Sequence, residues 1–399
     1  MSGGGQIGLV RDPRQASGAT FLELFFDLAF VFAFTRLSQE LHQEVSWYGV
    51  WDTLVTLLAL WWVWSTTVWL TERLDPERLL TQLVVIVIMF WALVIAAAVP
   101  DAFEDHGTVF AVGYVTVQLV RGLFMLVALR GHPLYRSTLH SLAWSAASGV
   151  LWLLGGPVDR HIQEPLWTVA IIVDYVAASF GWPLPGKGTA TNFNLPVGSE
   201  HLAERYRQFL IIALGDMILV TASTFSEGGL TANRWIAFGS AFVTTVLFWR
   251  IYIYRAGELL GHAIAAAEQP TRSNQATSYA HLVMVVGIVL TTVANELTID
   301  HPFGGVHLAW TVVVVVGPAV FLSGRALFEL TVFGRMSRAR LTGIALILAL
   351  FPLAQLVPLL ATTTLVDVVL LAVAVTNAMT WRYRPVRVRG SVVSGDSSP

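Results

Sequence analysis

The sequence predicts an all-α polytopic membrane protein, with about twelve transmembrane helices in two parallel six-helix repeats. Three observations carry that expectation. Hydrophobic residues make up 55% of the 399 positions and charged residues 13%, about half the charge of an ordinary soluble domain, and the mean hydropathy is +0.65. Twelve stretches approach the roughly 20 apolar residues that a spanning helix needs. The basic residues fall almost entirely on alternate connections between those stretches. So little charge cannot cover a water-facing surface, which argues against a soluble enzyme, a disordered chain or a nucleic-acid binder. A net charge of −2 offers no global attraction to nucleic acid or anionic substrates. Cys is absent, so disulfides, thiolate metal sites, iron–sulfur clusters and cysteine nucleophiles are excluded, and the ten His show no HExxH spacing.

In chain order the expected spans are 21–42, 48–70, 79–100, 108–129, 138–155, 165–182, 204–225, 235–254, 278–297, 306–330, 341–360 and 364–381. Helices are the natural form, because the bilayer core leaves no water for unpaired backbone groups. Barrel strands would alternate apolar and polar residues, whereas Leu83 to Val99 is continuously apolar. Between the last two spans stand only Ala361 to Thr363, and Pro352 and Pro358 bend the eleventh, so a re-entrant segment there is the alternative. The first span holds Glu23, Asp27 and Arg36 and is too long and polar for a signal-peptide core.

With twelve crossings, sixteen Lys and Arg in tails and connections fall on the side of the N-terminus and two, Arg160 and Arg234, on the other. The positive-inside rule then puts both termini in the cytoplasm.

The chain also resembles itself. "LLTQLVVIVIMFW" from Leu79 matches "SYAHLVMVVGIVL" from Ser278, and Glu23, Trp62, Arg121 and Asp174 correspond to Glu204, Trp249, Arg325 and Asn377. Six spans per half make such a repeat parallel. The expected organisation is a flexible cytoplasmic tail over 1–20, repeat one over 21–182, a Pro- and Gly-rich cytoplasmic linker over 183–203, repeat two over 204–381, and a basic then polar cytoplasmic tail over 382–399. Ser199 is the candidate cap of the seventh span.

Ionisable groups inside a membrane cost about 2.5–3.5 kcal/mol each on insertion scales, so they pair, face the bundle interior or line a pathway. Glu23, Asp27, Asp174 and Asp216 are the candidates for an ion or proton path. Asp27 and Asp216 lead, because both lie deep in the first span of a half with no Arg one turn away. Arg36, Glu40, Arg121, Glu204, Arg205, Arg250, His281 and Arg325 are candidates for charge pairing or gating. The bland reading of each is a helix-locking pair and, for His281, a hydrogen-bonded core histidine. Trp61, Trp62, Trp64 and Trp69 read as interface anchors, and Asp300, His301 and His307 as a solvated loop rather than a metal site.

"ELFFDLAFVFAFTRLS" (Glu23 to Ser38) and "HLAERYRQFLIIALGDMILVTAS" (His201 to Ser223) resemble the two signatures of the bacterial low temperature requirement A (LtrA) family. "DYVA" at Asp174, "SYAHLVMVVGIVL" at Ser278 and "GPAVFLSGRALF" at Gly317 resemble further family segments in the right order, so the likeness covers about residues 20–382. Asp216 stands where that family usually has Glu. The resemblance implies a multi-pass bacterial membrane protein linked to growth in the cold and supplies no biochemical activity. "FFDLAFVF" from Phe25 also resembles the first-helix Phe-Ser-Asp motif of two-repeat six-helix potassium channels, with Gln208 where the second half would carry its Asp.

The functional expectation is a permease or channel for a small solute or ion, with proton coupling left open. The alternatives are a non-transporting scaffold or sensor needed in the cold and, behind it, an intramembrane lipid-modifying enzyme. No DDxxD or Ser-His pairing supports the enzyme, so neither catalytic residues nor cofactors nor metals are expected. The expected partners are the lipid bilayer and an unknown small solute or ion, with no nucleic acid, and self-association into a homo-oligomer is left open.

Overall fold

A computed structural model describes residues 9–11, 18–43, 45–190, 199–229, 231–253, 270–304 and 307–381. Most of both expected tails and residues 191–198 of the expected linker lie outside the described residues. Within them the secondary structure is helical, with two isolated β-bridges. Twelve long helices follow one another: α1 (Phe21–Gln43), α2 (Trp47–Arg73), α3 (Leu79–Ala98, continued by a 3₁₀ turn at Val99–Asp101), α4 (Gly107–Ala128), α5 (Tyr135–Gly155), α6 (Arg160–Ser179), α7 (Ser199–Glu227), α8 (Ala232–Ile253), α9 (Pro270–Asp300), α10 (Leu308–Phe333), α11 (Arg338–Ala349) and α12 (Leu359–Trp381). Eight of these, all but α1, α5, α6 and α11, are long and apolar enough to cross a membrane. Their outward faces are apolar, as with Ile86, Phe90 and Leu93 on α3 or Val368, Leu371 and Val375 on α12. Those faces suit acyl chains rather than water.

Local chemistry explains several boundaries. Thr20 and Glu23 open α1 as a capping box: the Glu23 amide donates to Thr20 Oγ1 at 3.4 Å, and the Thr20 amide to Glu23 Oε2 at 2.9 Å. Ser46 caps α2 by accepting from the Gly49 amide at 3.0 Å. Gly334 closes α10 at φ +67°, a left-handed position that costs glycine nothing.

Two expected segments differ. The span 341–360 is not one helix. Chain from Arg338 is helical for 12 residues, turns at Leu350 and makes a second short helix at Phe351–Ala354; the last long helix already begins at Leu359, not at 364. Pro352 has no N–H to donate and its ring crowds the preceding turn. At about 1.5 Å per residue, twelve residues reach only about 18 Å, well short of a hydrocarbon core of about 30 Å. The N-terminal tail is also not wholly free. Leu9 is buried, Val10 bridges Leu74, and the Arg11 amide donates to the Arg73 carbonyl at 3.0 Å. At the other boundary, α7 starts at Ser199, inside the stretch expected to be linker.

Helix ends meet in three buried or half-buried charge clusters. The start of α1, the end of α2 and the start of α7 converge through Glu23, Glu72 and His201. The opposite ends of α8 and α9 meet through Arg234 and Asp300 at 3.0 Å, and those of α2 and α6 through Asp52 and Arg160. Arg160 and Arg234, the two basic residues expected on the basic-poor side, are both ion-paired. Helices α2 and α9 are the most enclosed. The tightest seam joins α9 to α10: a Cβ on Gly287 would collide with the Phe321 backbone, and one on Gly324 would lie 2.6 Å from the Met284 nitrogen. Close packing at small residues is how helices associate without a hydrophobic drive in lipid.

Candidate functional site

Two i, i+4 pairs face each other across the α1–α7 contact. Glu23 and Asp27 share one face of α1, and His201 and Arg205 share one face of α7. Both guanidinium Nη atoms of Arg205 donate to the Asp27 carboxylate at 2.8 Å, a bidentate pair, and Trp64 Nε1 on α2 donates to the same carboxylate at 2.8 Å. His201 bridges two carboxylates: its Nε2 lies 2.9 Å from Glu23 Oε1 and its Nδ1 2.9 Å from Glu72 Oε2. Arg205 Nε stands 3.9 Å from Glu23. All of these side chains are buried, Asp27 completely. A carboxylate so enclosed keeps its charge only with such partners. The counter-charge for Asp27 thus comes from the other half of the chain, four residues beyond His201.

Asp216 has different surroundings. It is buried on α7, accepts from Thr35 Oγ1 on α1 in a short hydrogen bond, and has no Lys, Arg or His nitrogen within 4 Å among the described residues. Towards the same side as the end of α1 lie Glu296 and Asp300 of α9, with His42 Nδ1 3.8 Å from Glu296 and His42 Nε2 3.6 Å from Asp300. Glu296 Oε1 makes no hydrogen bond among the described residues.

A cavity of about 170 Å³ lies between α2, α4, α5 and α9. Its walls include Trp61, Trp62, Trp69 and Trp182, several hydroxyls, and Arg73 and Arg121. Arg121 is buried in α4 and donates to Gln118 Oε1 at 2.5 Å, while its Nε makes no hydrogen bond among the described residues. Asp174 lies deeper, accepting from Tyr114 at 2.8 Å and Ser148 at 2.7 Å.

The remaining candidates are spread out. Arg325 donates to the Ile251 carbonyl at 3.1 Å and sits 3.9 Å from Glu329, which also pairs with Arg340. His281 is a core histidine between Tyr252 OH (3.2 Å) and the Thr277 carbonyl (2.8 Å). Glu204 accepts from the Ala19 amide and from Gln208, both at 3.1 Å. Arg36 donates to Gln39 and lies over Phe32, Glu40 is half-buried one turn on, and Arg250 is exposed at the end of α8. Asp300 is taken up by Arg234 and His42, while His301 and His307 stack on Trp310.

The tryptophans of α2 depart from expectation. Trp61, Trp62 and Trp64 are not interface anchors but buried core, in ring contact with Phe209, Tyr175 and Tyr206. With Trp61 and Trp64 centroids 5.0 Å apart, aromatic plates join the Asp27 pair to the cavity wall. Sequence reasoning does not single out Glu72, His201, Gln118 or Thr35. The His-x-x-x-Arg spacing opposite Glu-x-x-x-Asp was the available signal; nothing local marks the others.

The family model described as bacterial low temperature requirement A protein (LtrA) matches residues 18–375. An uncharacterized protein of Rhizobium meliloti (strain 1021) is 35% identical over 379 residues, covering 94% of this chain and 91% of its own length. No solved structure matches.

Proposed function

The chain belongs to the bacterial low temperature requirement A (LtrA) family, a multi-pass membrane protein, and from that premise we propose that it is a permease for a small solute, without an enzymatic step. The carrying observation is the cavity between α2, α4, α5 and α9, which holds a buried, incompletely bonded arginine inside a helical bundle. Ligand sites in bundles are concave, largely apolar and furnished with a few convergent polar groups. The Asp27–Arg205 pair is the pin that joins the first half to α7, and Asp216, which has no cation partner, is the group we assign to coupling with an ion or proton.

The same reading places the two halves as parallel six-helix repeats with both termini in the cytoplasm. Its support is threefold. The order in which α1, α2, α3, α4, α5 and α6 pack recurs among α7, α8, α9, α10, α11 and α12 for every consecutive pair, for the first with the third, and for the second with the sixth. The offset of 181 residues that relates Glu23 to Glu204 also relates Thr35 to Asp216. Thr35 and Asp216 touch, as residues near a two-fold axis must.

Counterflow into liposomes holding the purified protein, over a panel of monovalent ions and small metabolites, tests the permease. Saturable uptake that is abolished by Ser141→Phe, a substitution that fills the cavity, is the expected result. The complete enclosure of Asp27 favours a second reading, a non-transporting scaffold. Absence of flux across the panel, with cold growth still rescued by Ser141→Phe, would decide for it. Orientation is tested with Lys187→Cys, the sole thiol in a chain without Cys. An impermeant maleimide should label it in inside-out vesicles and not in intact cells.

A further inference from the structure

We infer that the cavity is a site for a small organic carboxylate whose apolar part is about one six-membered ring in size, an inference that rests on the permease reading for its purpose but not for its geometry. Four observations define this ligand. First, the lining contains two arginines, Arg73 and Arg121, and no Asp, Glu or Lys among the described residues, so the space is cationic. Second, Arg121 is 8% exposed, lines the cavity and donates one Nη to Gln118 Oε1; its unbonded Nε and Gln118 Nε2 are closed off from the open space, so a ligand there meets the rest of the guanidinium. A guanidinium fork fits a carboxylate with two parallel bonds. Third, Asp174 does not take that role. It is fully buried, its oxygens are engaged by Tyr114 and Ser148, it lies outside the lining, and no carboxylate oxygen comes within 4 Å of Arg121 among the described residues. Fourth, much of the rest of the wall is aromatic, with Trp61, Trp62, Trp69, Trp182 and Tyr279, and Arg73 itself lies over the Trp69 ring at 5.4 Å.

Size follows from volume. At about 170 Å³ the cavity is comparable to an engineered apolar cavity of about 150 Å³ that takes up one benzene. Ser278 adds a hydroxyl to the lining, and the tryptophan faces offer stacking to the ring. A cation meets the two arginines of the lining, whose nearest carboxylates, Glu72 and Asp174, stand outside it, and a neutral isostere leaves the Arg121 fork unmatched.

Equilibrium dialysis of the full chain in detergent with labelled benzoate tests this, with benzamide, benzylammonium and hexadecanoate as comparisons and the melting temperature measured for every variant. Benzoate should bind saturably, at least tenfold tighter than benzamide, and benzylammonium should not compete. Arg121→Gln should erase the preference for benzoate over benzamide. Should that variant not fold, Arg121→Lys, which keeps the charge and loses the fork, should cut it severalfold, as should Arg73→Gln. Equal affinity for benzoate and benzamide, competition by benzylammonium, or an unchanged preference in both Arg121→Lys and Arg73→Gln would overturn the site. Arg121-dependent binding of hexadecanoate with benzoate excluded would overturn the one-ring size and make a membrane lipid the source of the carboxylate. The two levels fail separately. Benzoate binding without counterflow keeps the site and removes the permease, whereas Ser141→Phe-sensitive counterflow of another solute with no benzoate binding keeps the permease and removes the site.

Discussion

Asp27 on α1 and Asp216 on α7 are both buried carboxylates, and in the sequence they look alike. Their surroundings differ in kind. Asp27 receives two guanidinium bonds and an indole bond, whereas Asp216 receives one hydroxyl bond from Thr35 and has no cation within 4 Å among the described residues. In a low-dielectric interior the first arrangement holds a fixed charge; the second, lacking a cation, is the one that the proposed coupling role calls on. What separates them is the partner helix. His201 and Arg205 on α7 match the spacing of Glu23 and Asp27 on α1, while opposite Asp216 α1 presents Thr35.

Several substitutions break or sharpen that difference. Asp27→Asn strands the Arg205 charge inside the bundle and should lower stability by about 3–5 kcal/mol, read as a large fall in melting temperature in detergent. Combining it with Arg205→Met should recover much of the loss. A folded, fully active Asp27→Asn protein of unchanged stability would remove the pin. His201→Ala leaves Glu23 and Glu72 facing each other without the ring between them, at about 1–3 kcal/mol, again read by thermal unfolding. Thr35→Val removes one hydrogen bond, at about 1 kcal/mol, and should weaken coupling before it weakens the fold. Asp216→Asn should be the mildest for stability, under about 1 kcal/mol because Thr35 can still donate to the amide oxygen, yet it should abolish counterflow. If Asp216→Asn instead unfolds the protein while transport by the surviving fraction is normal, the two carboxylates exchange roles.

Much of the architecture was open to reading because the bilayer leaves few choices. Apolar stretches of sufficient length become helices, and the expected spans overlap the helices found in every case except for the break inside 341–360. There the two prolines were visible, but whether the chain bends, turns back or crosses depends on what packs against it. The twelve-residue α11 is held by Arg340 against Glu329 on α10 and by Ser337 against Asn377 on α12, contacts with other helices that the segment's own sequence does not announce. The tryptophans show the same limit. An aromatic residue in an apolar helix reads as an interface anchor or as core with equal ease, and only the neighbours of α2 decided that Trp61, Trp62 and Trp64 are interior.

Composition and pattern by themselves determined the membrane class, the helical secondary structure, the family likeness and the short set of charges worth attention. Local periodicity could show that Glu23 and Asp27 share a face, and equally that His201 and Arg205 do. It could not show that the two faces meet, because they lie 178 residues apart and any helix of the bundle was free to supply the counter-charge. Tertiary packing settled which buried ion is satisfied and which is left with a single hydroxyl. It also settled that Arg121 borders open space while Arg325 is enclosed by Glu329 and the Ile251 carbonyl. The physical reason is the same in each case. The cost of burying a charge depends on the atoms within a few ångströms of it, and in a bundle those atoms come from other helices.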